Sequence, residues 1–163
     1  MTNSLIELLS NIPHELAAFL LSMIPVTELR LALPIAITQY EISPLWALFI
    51  CSIGNLVPVP FIVLFIRRIF KWLKGFSFFK GIIEKLEKRG AEKSKTVLKY
   101  KALGLFILVA VPLPGTGAWT GALVAALMDL RLKKAFPAIA LGVLAAGVIV
   151  TLMTTGVLAF LGF

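Results

Sequence analysis

The chain has 163 residues, of which 60% are hydrophobic, and it carries a net charge of +8 with one cysteine and one histidine. Such an apolar sequence, with its charges confined to short stretches, is typical of an integral membrane protein and argues against a soluble domain. The lone cysteine and histidine leave no internal disulfide and no metal-ligand spacing. The first residues lack a basic segment, so we expect no cleavable signal peptide.

The first apolar stretch is interrupted near its middle by Pro25, Glu28 and Arg30. Because proline cannot continue the helical hydrogen-bond ladder, we expect a hairpin with arms over Ala17–Ile24 and Leu29–Thr38. Its flanks contain no lysine or arginine, which suits the outer face of a membrane. The hairpin is therefore predicted to enter the membrane and to return on the same side.

A second apolar run covers Pro44–Ile66 and is predicted to cross the membrane inward. Asn55 and the prolines of residues 58–60 interrupt it. Two interpretations of Asn55 stay open: it bonds backbone groups that the prolines leave unpaired, or it lines a transport pathway.

The connector, residues 67–101, holds 12 of the 16 lysines and arginines of the chain. Its apolar residues recur at helical spacing, which predicts an amphipathic helix in the cytoplasmic interface. Basic segments beside membrane helices stay cytoplasmic and bind anionic lipid headgroups. We therefore expect contact with membrane lipids and none with nucleic acid.

The third apolar stretch is broken by residues 112–117, which read PLPGTG. Its arms, Leu103–Val111 and Ala118–Met128, each span roughly 15 Å, half of a hydrocarbon core of about 30 Å. A crossing here would place the basic segments 67–101 and 129–134 on opposite faces, against the positive-inside rule. A second hairpin that dips in and returns removes that conflict.

A last apolar run over Ala135–Leu158 is predicted to cross outward. Each hairpin is then followed by one spanning helix, so the halves 16–66 and 102–161 form an inverted repeat. The sequence predicts an all-α integral membrane protein of one domain, residues 1–163. It has two re-entrant helical hairpins, each followed by a transmembrane helix, a cytoplasmic connector over 67–101, and both termini outside.

Glu28 and Arg30 are the only ionisable residues within the apolar stretches. A charge near the bilayer centre costs about 2.5–3.5 kcal/mol on insertion scales, so both are expected to meet a partner, a wet cavity or a polar substrate. The candidate substrate-binding residues are Thr27, Glu28, Arg30, Asn55, Pro112, Pro114, Gly115, Thr116, Gly117 and Thr120.

Arginine, hydroxyl groups and the amides of a helix start together suit a phosphate or a carboxylate. In that interpretation Glu28 carries a proton. The structural alternative is that the proline-glycine segment is only a turn and that the charges only lock the hairpins.

Residues 24–36, which read IPVTELRLALPIA, and residues 111–119, which read VPLPGTGAW, resemble the putative small multidrug export protein family. The resemblance extends over about residues 15–155. The same layout is similar to the wider DedA-type superfamily, whose members have two opposed re-entrant hairpins. Members of that superfamily are associated with ion-coupled recycling of polyprenyl-phosphate lipid carriers.

The DedA-type resemblance implies that Glu28 and Arg30 are the key charged pair and that residues 112–115 form the second functional tip. One position departs from the pattern. Many DedA-type proteins carry a second acidic residue after this tip, where Thr116 and Gly117 stand here.

These observations predict a multi-pass transporter of the plasma (inner) membrane. Its expected substrate is amphipathic and anionic, foremost a lipid-linked polyprenyl phosphate, coupled to a proton or sodium ion. The alternatives are a proton-coupled exporter of cationic drugs, in which Glu28 binds drug and proton in turn, and a membrane scaffold without transport. No catalytic set, cofactor site or metal site is predicted, so we do not expect an enzyme. A homodimer is expected.

Overall fold

A computed structural model describes residues 12–73, 81, 88, 102–113, 115–128, 130–160 and 162. All regular elements in these ranges are α-helices: α1 (His14–Met23), α2 (Glu28–Thr38), α3 (Pro44–Leu56), α4 (Pro58–Leu73), α5 (Ala102–Ala110), α6 (Ala118–Leu127) and α7 (Leu132–Phe160). The chain divides into two compact units. The first unit contains Met1–Val57 and Val143–Phe163, and the second contains Pro58–Gly142.

In the first unit, α1, α2 and α3 pack on one another. The buried face of α1 carries alanine at positions 17 and 18, which lets helix backbones approach closely. Gly54 of α3 serves the same purpose, since a Cβ atom there would lie 2.5 Å from the carbonyl oxygen of Phe19. Gly147 of α7 lies against Leu48 in the same unit. Small residues thus set the spacing of these helices.

In the second unit, α6 packs against both α4 and α5. Val109 of α5 lies at the centre of this packing, because Cβ atoms added at Gly121 and Gly142 would lie 2.5 Å and 2.7 Å from its side-chain atoms. Gly142 also lies close to the backbone of Phe106, at 3.0 Å from its carbonyl oxygen. Here too, glycine permits the close approach.

Both predicted hairpins are found as helix–turn–helix pairs. The helices α1 and α2 are joined by residues 24–27, and α5 and α6 by residues 111–117. Their bounds differ from the predicted arms by at most three residues. Entry of the two pairs into a membrane from opposite sides, and the inverted repeat built on it, stay predictions.

Two helical stretches are long and apolar enough to cross a membrane, judged by length and composition: Pro44–Ile66 and Leu132–Phe160, each with a mean hydropathy of 2.3. The first is divided at Val57, with α3 ending at Leu56 and α4 beginning at Pro58. The apolar part of this helix has the predicted bounds, Pro44–Ile66. The helix itself continues to Leu73, into the segment predicted as the amphipathic connector.

Three sequence-based expectations fall outside the described residues. Beyond Leu73, the structure describes only residues 81 and 88 of the predicted amphipathic connector. Pro114 in the second turn and Asp129 in the basic loop are likewise outside.

Candidate functional site

The first unit contains five buried polar side chains, each at most 7% exposed, which we call the buried polar cluster. They are Ser22, Thr27, Glu28, Ser52 and Asn55, and they lie on α1, on α3 and in the turn and first residue that begin α2. A Cβ atom on Gly54 would lie 2.1 Å from the hydroxyl oxygen of Ser22, so the turn end of α1 lies beside the last turn of α3. These three helices pack on one another, which buries the five side chains in apolar surroundings.

Glu28 occupies an unusual backbone conformation within this cluster. Its φ angle is 43°, in the left-handed region, although it is the first residue of α2. Its amide donates a hydrogen bond to the carbonyl oxygen of Ile24, with an N–O distance of 2.8 Å, which closes the turn. Non-glycine residues in this region cost about 1–3 kcal/mol and concentrate at functional sites. The carboxylate is therefore held where a regular helix would not place it.

Arg30 lies two residues further along α2 and is half-buried, whereas Glu28 is only 7% exposed. The two side chains interact electrostatically. The pair is asymmetric, because the acidic residue is buried and the basic residue is only half-buried.

Thr27 stabilises the turn from within. Its hydroxyl donates to the carbonyl oxygen of Leu21, and a longer contact of 3.5 Å joins it to the carbonyl oxygen of Ile24. The sequence suggested this hydroxyl as a substrate ligand. In the structure its hydrogen is engaged by the end of α1, so its observed role is to hold the turn that carries Glu28.

Asn55 and Ser52 contribute oxygen atoms that have no hydrogen-bond partner. The Oδ1 atom of Asn55 and the Oγ atom of Ser52 are both buried and unpaired. The two residues are three positions apart on α3, and residues at this spacing are neighbours on one helix face. Since a buried, unpaired polar atom costs about 1–3 kcal/mol, this pair calls for a functional explanation.

The turn of the second unit is built around two glycines. Gly115 and Gly117 have φ angles of 74° and 134°, which favour glycine. The hydroxyl of Thr116 donates to the carbonyl oxygens of Val111 and Leu113, at 2.9 Å and 2.8 Å. The predicted start of a helix at residue 118 is confirmed, and a re-entrant path of this hairpin stays a prediction.

Thr120, in the first turn of α6, donates its hydroxyl to the carbonyl oxygen of Gly115 at 3.2 Å. Like Thr116, it therefore has its hydrogen engaged within the turn. Pro112 also lies in this turn. The hydrogen bonds support a structural role for these threonines, and a role in substrate binding stays a prediction.

The predicted site residues thus fall into two groups. Thr27, Glu28, Arg30 and Asn55 belong to the first unit, whereas Pro112, Gly115, Thr116, Gly117 and Thr120 belong to the second. A joint site formed by both groups stays a prediction. Sequence analysis missed Ser22 and Ser52. The helical spacing of Ser52 to Asn55 was the signal that could have found it.

The described residues contain no group of three or more histidine, cysteine, aspartate or glutamate residues that could hold a metal ion. What the first unit offers instead is one enclosed carboxylate, one accessible guanidinium and a set of neutral oxygens. Such groups can bind charged or polar ligands and can exchange protons.

The described residues are all-helical, and they include two helices that are long and apolar enough, by length and composition, to cross a bilayer, as in a small membrane protein. A family model described as "Putative small multi-drug export protein" matches residues 28–149, about three quarters of the chain, and the chain belongs to this family. The description is that of an export protein rather than of an enzyme, and it supports a membrane location. No curated protein and no solved structure matches the chain significantly.

Proposed function

We propose that the protein is an ion-coupled membrane transporter of an amphipathic anionic substrate, foremost a lipid-linked phosphate such as a polyprenyl phosphate. One observation carries this proposal: in the charged pair of α2, Arg30 is half-buried while Glu28 is enclosed. The less buried member of the pair is the cation, so the pair favours an anionic ligand.

Arginine suits this role because its planar guanidinium binds two phosphate oxygens at once. The enclosed Glu28 would carry the coupling proton, since a carboxylate surrounded by apolar helices gains most from protonation. Substrate binding to Arg30 and protonation of Glu28 are then linked, because each changes the charge that the other group experiences. The earlier resemblance to DedA-type proteins agrees with this assignment. A homodimer and a sodium or proton gradient belong to the same proposal.

The test is movement of a fluorescent isoprenyl phosphate across phosphatidylcholine vesicles that contain the purified protein. We expect Arg30→Ala to reduce the rate by about 10–100-fold, because hydrogen bonds to a charged group contribute about 1.5–3 kcal/mol. Arg30→Lys should retain part of the activity. Arg131→Ala is the matched control, because Arg131 is exposed outside the apolar helices and its loss should not change the rate.

The variant Glu28→Gln separates proton coupling from binding of the isoprenyl phosphate. We expect this variant to let the isoprenyl phosphate equilibrate but to lose acceleration by an imposed pH gradient. If Arg30→Ala and Glu28→Gln both transport like the unchanged protein while remaining folded, the proposal is wrong and the scaffold alternative is favoured.

The family description favours a second candidate, proton-coupled export of cationic drugs. A cation would bind the carboxylate, so ethidium efflux from vesicles should depend on Glu28 and be spared in Arg30→Ala. Measuring transport of both substrates in the same vesicles distinguishes the two candidate functions. In Arg30→Ala, the first predicts loss of isoprenyl phosphate transport, and the second predicts that ethidium efflux is retained.

A further inference from the structure

The strongest unexplained feature outside the charged pair is the carboxyl end of α3. We infer that Asn55, Ser52 and the neighbouring backbone carbonyls form a binding site for a small monovalent cation, sodium. The inference rests on the proposed function in one respect, because it names sodium as the coupling ion of that transporter.

The first argument concerns the side chains. Asn55 is 2% exposed and Ser52 is 3% exposed, and their oxygens are unpaired. Side chains on a helix point back towards its amino terminus, so Asn55 leans over the turn that carries Ser52. Two unsatisfied oxygens therefore share one face of α3. Nothing else at this helix end explains why both are kept from water.

The second argument concerns the backbone. Pro58 and Pro60 have no amide hydrogen, so neither can donate to the carbonyl oxygen four residues earlier in the helix. Those carbonyls belong to Gly54 and Leu56, on either side of Asn55. Val57 keeps helical dihedral angles, so the helix continues past this point while these two carbonyl oxygens lack their usual helical donors. Backbone carbonyl oxygens left free in membrane helices can coordinate alkali cations.

The third argument concerns charge. The site offers neutral oxygens, and the cluster adds a single carboxylate, Glu28. A divalent ion normally requires several carboxylates, whereas a monovalent ion can be held by carbonyl, amide and hydroxyl oxygens. Oxygen ligands of this kind therefore favour sodium over calcium or magnesium. A buried water molecule that bridges the same oxygens is the competing explanation, and it predicts no dependence on the cation.

The experiment measures the unfolding temperature of the purified, detergent-solubilised protein in sodium chloride and in choline chloride of equal ionic strength. A ligand that binds only the folded state raises this temperature, by about 4 °C at tenfold excess over its dissociation constant for a chain of this length. We expect that rise in sodium and not in choline. Equal temperatures in the two salts would overturn the inference, and so would a rise of the same size in potassium chloride.

Variants of the proposed ligands test where the ion binds. Asn55→Ala and Ser52→Ala should lose the sodium-dependent rise, and Asn55→Asp, which keeps an oxygen at the same position, should retain it. Thr154→Val is the matched control, because it removes a half-buried hydroxyl that already donates to the carbonyl oxygen of Val150, and it should respond to sodium normally. A normal response in both Asn55→Ala and Ser52→Ala would refute the site. Asn55→Leu removes the oxygen at nearly constant side-chain volume and should also lose the rise, so it decides the question if an alanine variant does not fold.

The variant Arg30→Ala shows whether the sodium site and the proposed substrate site can fail separately. It should lose transport of the isoprenyl phosphate and retain the sodium-dependent rise. A protein that shows the rise but moves no phosphate lipid retains the ion site and loses the substrate assignment. A protein that moves the isoprenyl phosphate but shows no sodium-dependent rise supports the proposed substrate and excludes a sodium site at Asn55.

Discussion

Replacement of Gly54 by alanine tests the contact that brings the buried polar cluster together. The new Cβ atom would lie 2.1 Å from the hydroxyl oxygen of Ser22 and 2.5 Å from the carbonyl oxygen of Phe19. Both separations are far below van der Waals contact, and the second involves backbone, so α1 and α3 must move apart. Overpacking of this kind costs about 1–3 kcal/mol, and two clashes place Gly54→Ala near the upper value.

Alanine also favours the helix over glycine by about 1 kcal/mol. The net expectation for Gly54→Ala is a loss of about 2 kcal/mol of unfolding free energy, or about 6 °C in unfolding temperature. The assay is thermal unfolding of the detergent-solubilised protein, followed by circular dichroism.

Gly156→Ala is the matched control, because a Cβ atom there meets nothing within 4 Å. Its unfolding free energy should rise by about 1 kcal/mol, because alanine has the higher helix propensity. Adding Ser22→Ala to Gly54→Ala removes one clash but leaves the Phe19 carbonyl, so only part of the loss should return. If Gly54→Ala is as stable as Gly156→Ala, then α1 does not lie against α3 as described and the cluster is not assembled there.

Three further predictions concern stability in the same assay. Glu28→Gly should be more stable than Glu28→Ala by about 1 kcal/mol, because a φ of 43° penalises a Cβ atom. Alanine is normally the more stable of the two in a helix, so a more stable Glu28→Ala would show that residue 28 is not left-handed. Thr27→Val should cost about 0.5–1.5 kcal/mol, since the carbonyl oxygen of Leu21 loses the hydroxyl donor and keeps only the amide of Ile24 at 3.3 Å; an unchanged stability would contradict the hydroxyl hydrogen bond. Gly147→Ala should lower the unfolding temperature less than Gly54→Ala, because its nearest clash, at 2.4 Å, is with a methyl group of Leu48 that can rotate away. Adding Leu48→Ala to Gly147→Ala should remove this clash, and if it does not recover part of the lost stability, the contact is excluded.

The helical hairpins could be predicted because their determinants are local. Pro25 and the PLPGTG segment stop apolar runs that would otherwise continue, and proline and glycine act on the backbone independently of distant residues. The predicted second arm of the first hairpin, Leu29–Thr38, differs from α2 by one residue. Charge placement along the chain supplied the expected topology, which no contact in the described residues tests.

The buried cluster could not be predicted to the same extent, because burial depends on tertiary packing. Ser22 and Ser52 are ordinary small residues in apolar runs, and they are enclosed only by the packing of helices that are distant in sequence. The left-handed conformation of Glu28 is also a property of the closed turn, since the sequence offers no glycine or asparagine there. The division of the first spanning stretch was visible from its prolines, and the helical spacing of the connector predicted helix beyond Arg67 and Arg68, where α4 continues to Leu73.

The length of α7 has a consequence for the lipid that surrounds the protein. Beyond its basic start at Lys133 and Lys134, the apolar part, residues 135–160, extends about 39 Å, whereas a typical hydrocarbon core is about 30 Å thick. A helix with this excess either tilts or thickens the lipid around it, and either response costs free energy for each ångström of mismatch. Acyl-chain length is thus a variable that any reconstitution of this protein has to control, with longer chains relieving the mismatch and shorter chains increasing it.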